Sequence, residues 1–182
     1  MNPNHIKDVL RAAVQNMIRE DFASSPARAL LNTAERNITA RLREQLSPIV
    51  ARNMSTSYQV DHEYNRVGAE GNSPKFSKIL NQNVIPDIAI HMRGIRREQN
   101  PKANLIIIEV KIITSFDGTL ESIRNKRQRA GLEDDLMKVE ALRSMGDQYG
   151  YLHGASMVFS KSAVWIRLDD ESFELLMGIN EQ

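Results

Sequence analysis

Three charged side chains stand inside otherwise apolar sequence: Asp87, Glu109 and Lys111, in the stretch NVIPDIAIHMRGIRREQNPKANLIIIEVKII from Asn83 to Ile113. Burying a charge without a partner costs several kcal/mol, on the scale of what holds a domain together. Two carboxylates and an ammonium among Ile, Val and Leu therefore demand a chemical reason. Two carboxylates held close together repel. One takes a proton, a cation bridges them, or a lysine pairs with them. Mg²⁺ suits the second case, since it accepts one or two carboxylates and completes its shell with water and phosphate oxygens. Lys111 lies two residues beyond Glu109, about 6.8 Å along an extended strand. From there its ammonium can sit beside a metal, position or polarise a water, and offset charge developing on a phosphorane-like transition state. The alternative is a partly buried ion network with no chemistry.

Positioning these groups requires two strands. The Ile/Val/Leu content predicts one over 84–92 and another over 104–113, joined by a polar, basic loop. Side chains alternate across a strand, so Asp87, Ala89 and His91 share one face, as do Leu105, Ile107, Glu109 and Lys111. An antiparallel hairpin symmetric about Glu98 pairs Asp87 with Glu109 and His91 with Leu105. Cβ atoms so paired are about 4.5–5.5 Å apart. His91 is read as a packed or hydrogen-bonded histidine.

The remaining elements read as follows. A helix over 4–20 carries Ile6, Val9, Leu10, Val14, Met17 and Ile18 on one stripe. Ser25 and Pro26 cap and open a second helix running to about Leu46, with Leu30, Leu31, Ala34, Ile38, Leu42 and Leu46 buried. Ser47-Pro48 closes it, with a further turn at Ile49-Val50. Residues 56–66 alternate with period two, placing Tyr58, Val60, His62 and Tyr64 on one face and Gln59, Asp61, Glu63 and Asn65 on a polar one. A third helix starts at Leu132, its first turn enriched in acid at Glu133, Asp134 and Asp135, and ends near Gly146. Strands follow over 151–160 and 163–168; residues 171–178 fit a strand or a helical turn. The order α, α, β, β, β, α, β, β predicts an α/β fold, a mixed central sheet flanked by helices, in a single domain over 1–182.

Composition sets bounds. The chain has 182 residues, 41% hydrophobic and 26% charged, with a net charge of +1 and no cysteine. These are ordinary globular values, and any basic footprint for a polyanion must be local. Thiol chemistry and cysteine-based zinc sites are excluded, and the absence of cysteine suits a reducing cytoplasm. The first 20 residues lack the apolar core of a signal peptide, and no apolar run reaches 18 residues, so no membrane span is expected.

Pro86-Asp87, twenty-one intervening residues and Glu109-Val110-Lys111 resemble the signature of the PD-(D/E)XK nuclease superfamily, the restriction-endonuclease-like fold. The resemblance spans roughly residues 26–160 and covers an αβββαβ core, leaving the N-terminal helix and the last two elements outside. It implies Mg²⁺-dependent hydrolysis of nucleic-acid phosphodiesters, with Mn²⁺ able to substitute. Asp87 and Glu109 would be metal ligands and Lys111 the residue assisting the attacking water. Members often carry a further acid on the first core helix; Glu35 matches it, as a third metal ligand, and Glu63 is its rival for the auxiliary role. DNA is the expected substrate, and a homodimer is the expected arrangement if both strands of a duplex are cut. Arg93, Arg96, Arg97 and Lys102 in the hairpin loop, and Arg124, Lys126, Arg127 and Arg129 before the third helix, are the residues available to neutralise phosphates. A catalytically idle binding or assembly module of the same fold is the alternative function.

Overall fold

The computed structural model describes residues 2–21, 34–62, 76–77, 80, 82–95, 97–113, 121, 123, 131–144, 150–169 and 171–179. Helices α1 (Pro3–Asp21), α2 (Glu35–Asn53) and α3 (Leu132–Arg143) accompany eight strands: β1 (Gln59–His62), β2 (Phe76–Ser77), β3 (Gln82–Asn83), β4 (Ile88–His91), β5 (Asn104–Ile112), β6 (His153–Phe159), β7 (Ala163–Leu168) and β8 (Glu174–Gly178). Six strands form one sheet in the order β1-β4-β5-β6-β7-β8, while β2 and β3 pair separately. Every neighbouring pair of the large sheet is antiparallel except β5–β6. The fold is thus α/β with a mixed sheet, as the element order predicts. No helix among the described residues is long and apolar enough to cross a membrane.

The alternation of each strand divides the apolar residues between the two faces of the sheet. Ile88, Ile90, Ile106, Ile108, Val110, Met157, Phe159 and Ile166 pack with α1 and α2 in the main core. That core runs from Ile6 to Ile179, so α1, β7 and β8, outside the αβββαβ unit, are built into it. On the other face Ala89 and Ile107 meet Val139 and Leu142 of α3, and Val158 meets Leu132 and Leu136. At Gly154 α3 comes close to the sheet: a Cβ there would overlap Val139 Cγ1 and lie 2.8 Å from Arg143 Cδ.

Several sequence expectations need correction. The helix does not stop at Ser47-Pro48 but continues to Asn53. Proline removes its own N–H from the ladder and crowds the carbonyl one turn back, but burial of Ile49 and Val50 holds the extra turn against the core. The helix's expected start near Pro26 lies outside the described residues; Ala34, expected to be buried, is exposed just before Glu35. Asp61, assigned to a polar face, is 8% exposed. Its carboxylate is drawn inward by the partners described below. Residues 171–178 resolve into strand β8.

The hairpin register is half as expected. Ile88, Ala89 and Ile90 pair with Ile108, Ile107 and Ile106, the register that symmetry about Glu98 requires. His91 then pairs with Asn104 rather than Leu105, because a bulge intervenes. Leu105 is the extra residue, and a bulge re-aims the side chain it carries. It joins the main core rather than sharing a cluster with Ile107.

Candidate active site

Asp87 immediately precedes β4, and continuing the register past Ile88–Ile108 sets it opposite Glu109. Its Oδ2 accepts a hydrogen bond from the Val110 N–H at 2.7 Å, tying the two strands at this level. Glu109 is 2% exposed. Its Oε2 accepts from Lys138 Nζ at 2.5 Å, while Oε1 is buried without a hydrogen-bond partner among the described residues. Lys111 Nζ lies 3.1 Å from Asp135 Oδ2 and 3.5 Å from Glu35 Oε1. Glu35, in the first turn of α2, also accepts from the Ile112 N–H through Oε2 at 3.2 Å.

The electrostatics are out of balance. Burial raises the Glu109 pKa well above the ordinary glutamate value, and the charge of Asp87 raises it further, against the pull of Lys138. Burial likewise raises Asp87, although the Val110 N–H and Lys138 favour its ionised form. For Lys111, burial alone would lower the pKa; Asp135 and Glu35 outweigh it and the net shift is upward. Lys111 is therefore an ammonium at neutral pH. It can donate to a water or an oxyanion, and it cannot take a proton as a general base. Four carboxylates, Asp87, Glu109, Asp135 and Glu35, stand against two ammoniums, Lys111 and Lys138, among the described residues. When all are ionised, two negative charges have no counter-charge among the described residues.

A divalent cation fits this arrangement. It would neutralise the surplus, occupy the orphaned Oε1 of Glu109 and reverse the rise in both carboxyl pKa values. Among the described residues no group of three or more His, Asp or Glu stands together as a ready cation cage. Two carboxylates are nevertheless what Mg²⁺ ordinarily takes from a protein. Glu35, expected as a third metal ligand, is instead engaged with Lys111 and the Ile112 N–H. Glu63 lies outside the described residues. His91 is buried at the other end of β4, where its Nε2 is 2.8 Å from Asp61 Oδ2.

Sequence reasoning missed Lys138 and credited Asp135 only with favouring the helix dipole. Both reach the strand acids and Lys111 from α3, one turn apart. Each directly precedes a buried position, Leu136 and Val139, so each flanks the apolar stripe of α3. That flanking position was the available signal. The basic hairpin loop is also placed by the fold. Arg93, Arg97 and Lys102 lie at the Asn104 end of β5, five residues from Glu109, which is about 17 Å along a strand. At that distance they cannot reach a group held between Asp87 and Glu109. Arg96, Arg124, Lys126, Arg127 and Arg129 lie outside the described residues.

No family model matches the chain, and no curated protein matches it.

Proposed function

We propose that the chain is a Mg²⁺-dependent phosphodiesterase acting on nucleic acid, DNA first among its substrates, and a member of the PD-(D/E)XK superfamily that its signature resembles. One observation carries the reading: a nearly fully buried Glu109 stands across the hairpin from Asp87, with one oxygen unpartnered and surplus negative charge around both among the described residues. Asp87 and Glu109 would hold the cation, with Mn²⁺ able to replace Mg²⁺. When bound, the ion supplies Lewis-acid polarisation of the phosphodiester and lowers the pKa of coordinated water. Lys111 donates toward the attacking water or the developing oxyanion, held by Asp135 and Glu35 so that its ammonium cannot wander. Lys138 is paired with Glu109 Oε2 and would share that oxygen with a bound cation.

A second reading is favoured by the same lysines. Both are already ion-paired, as they would be in a binding or assembly module that keeps the fold without turnover.

Calorimetric titration of Mg²⁺ and Mn²⁺ into the wild type and Asp87→Ala tests the cation site. Binding is expected in the first and lost in the second; identical heats would sink the metal site. Cleavage of plasmid and oligonucleotide substrates then separates the two readings. Lys111→Ala should keep the metal and lose cleavage by about a hundredfold or more, the scale of one preorganised donor. Metal binding with no cleavage of any nucleic acid by the wild type would leave the module reading.

A further inference from the structure

A second polar site lies at the sheet edge, apart from the acid pair. Arg43 and Ser47 of α2, the segment Tyr58–Asp61, and Arg93 enclose an open cleft of about 300 Å³. Its hydrogen bonds spend both Asp61 oxygens and the Tyr58 and Ser47 hydroxyl protons, and leave the terminal N–H groups of Arg43 as the donors among the described residues. Asp61 spends both oxygens internally: Oδ1 accepts from Arg93 at 2.6 Å, and Oδ2 takes Arg93 Nε at 3.1 Å and His91 Nε2 at 2.8 Å. The Tyr58 hydroxyl donates to the Lys102 carbonyl at 3.0 Å, and Ser47 Oγ to the Arg43 carbonyl at 3.0 Å. Arg43 is half-buried and anchored through Nε to the Val60 carbonyl at 3.0 Å. That single anchor aims the guanidinium and leaves its two terminal nitrogens unspent among the described residues. Gln59 is exposed beside it and adds an amide donor.

Among the described lining residues, two guanidiniums stand against one carboxylate. Among the described residues a cation would meet no available carboxylate oxygen there, whereas an oxyanion meets a pre-aimed Arg fork, the geometry that matches phosphate. The volume sits at the lower limit of small-molecule sites, and the one aromatic ring of the described lining, Tyr58, is buried, so no described residue offers a base a stacking platform. The recognisable chemistry is the phosphate group itself.

We infer that this cleft binds a phosphate oxyanion through Arg43 with Gln59, either of a small phosphoester or of a nucleic-acid backbone. The inference is independent of the cation site, because none of these residues touches Asp87 or Glu109.

The test is an ¹H–¹⁵N NMR titration of the full chain with three probes: inorganic phosphate, ribose 5-phosphate and a short DNA duplex, each without divalent metal. Shifts are expected at the amides of Ser47, Tyr58, Gln59 and Val60. Arg43→Gln should weaken binding about tenfold or more, the scale of a charge-assisted bidentate pair. Arg41→Gln, an exposed arginine two residues away on the same helix and paired with Glu44, should leave it unchanged. Response to the small probes alone assigns the site to free phosphoesters; response to the duplex at the same amides assigns it to the backbone. Silence of these amides toward all three probes overturns the inference. Equal weakening by the two substitutions does so as well. If Arg43→Gln does not fold, the wild-type shift map decides by itself.

Discussion

The sheet carries buried acids at both ends, and the two ends treat them oppositely. At one, burial and each other's charge push Glu109 and Asp87 upward in pKa. Toward the other, Asp61 is pulled well below the carboxylate range, first by the hydrogen bond to His91 and then, against desolvation, by Arg93. Asp169 repeats the pattern: its Oδ2 is 2.9 Å from His153 Nδ1, its Oδ1 accepts from the Gly154 N–H at 3.0 Å, and Arg143 Nε is 3.4 Å away. These partners outweigh its desolvation and lower its pKa. Asp61 and Asp169 sit in finished networks, where every acceptor is answered within the chain. Glu109 and Asp87 sit in an unfinished one. Finished networks hold strands together; an unfinished one is stable only while something external, a proton or a cation, completes it.

The contrast can be broken most severely at the finished end. Asp61→Ala strips His91 and Arg93 of their shared partner and should cost about 2–3 kcal/mol in urea unfolding, somewhat less than a fully buried pair because Arg93 is exposed. Glu109→Gln should cost little or even stabilise, since it removes a charge the site penalises. If the two substitutions cost the same, the distinction between the ends fails.

Next in size is a pH effect with opposite signs at the two ends. Asp61 and Asp169 have depressed folded-state pKa values. Their contribution is present above the unfolded value near 4 and is lost as pH falls below it. Glu109 and Asp87 have raised values, so the native state holds protons that the unfolded state releases. Stability therefore declines as pH rises from the unfolded value, about 4, through the folded ones. Thermal melts of Glu109→Gln should lose much of the wild type's decline above that point, and Mg²⁺ should raise the wild-type Tm more at pH 8 than at pH 5. A decline of equal size in both proteins would remove Glu109 as its source.

The smallest effect sharpens how tightly α3 joins the two ends. Gly154→Ala forces a methyl against Val139 and Arg143 beside the Asp169 network and should cost about 1–2 kcal/mol, read as a Tm drop with metal binding at Glu109 preserved. No change in Tm would show that the helix can back away.

Much of this was legible in the sequence because strand alternation and register are local rules. The level of Asp87 and Glu109 follows from counting inward from the loop, and Ile88–Ile90 obey that count. It fails at Leu105, where an extra residue leaves no mark in composition. Asp61 was misread for a related reason: alternation says which side a residue faces, and it cannot say that His91 and Arg93, thirty residues on, will draw a carboxylate under cover. Lys138 and Asp135 were hidden because a helix's flanking charges look the same whether they meet water or another element. What decides is the crossover that lays α3 over β5, a tertiary fact.

That crossover has a kinetic consequence. Ile88 meets Ile108 after twenty residues of chain, but Ile106 meets His153 only after forty-seven, through the one parallel pairing in the sheet. Closing the longer loop costs about 0.8 kcal/mol more in chain entropy by the logarithmic law. Until β6 and α3 arrive, Glu109 remains in water on the open flank of a hairpin. The dehydration of its carboxylate thus depends on the same non-local step, so this buried charge and the longest loop closure within the sheet are met together.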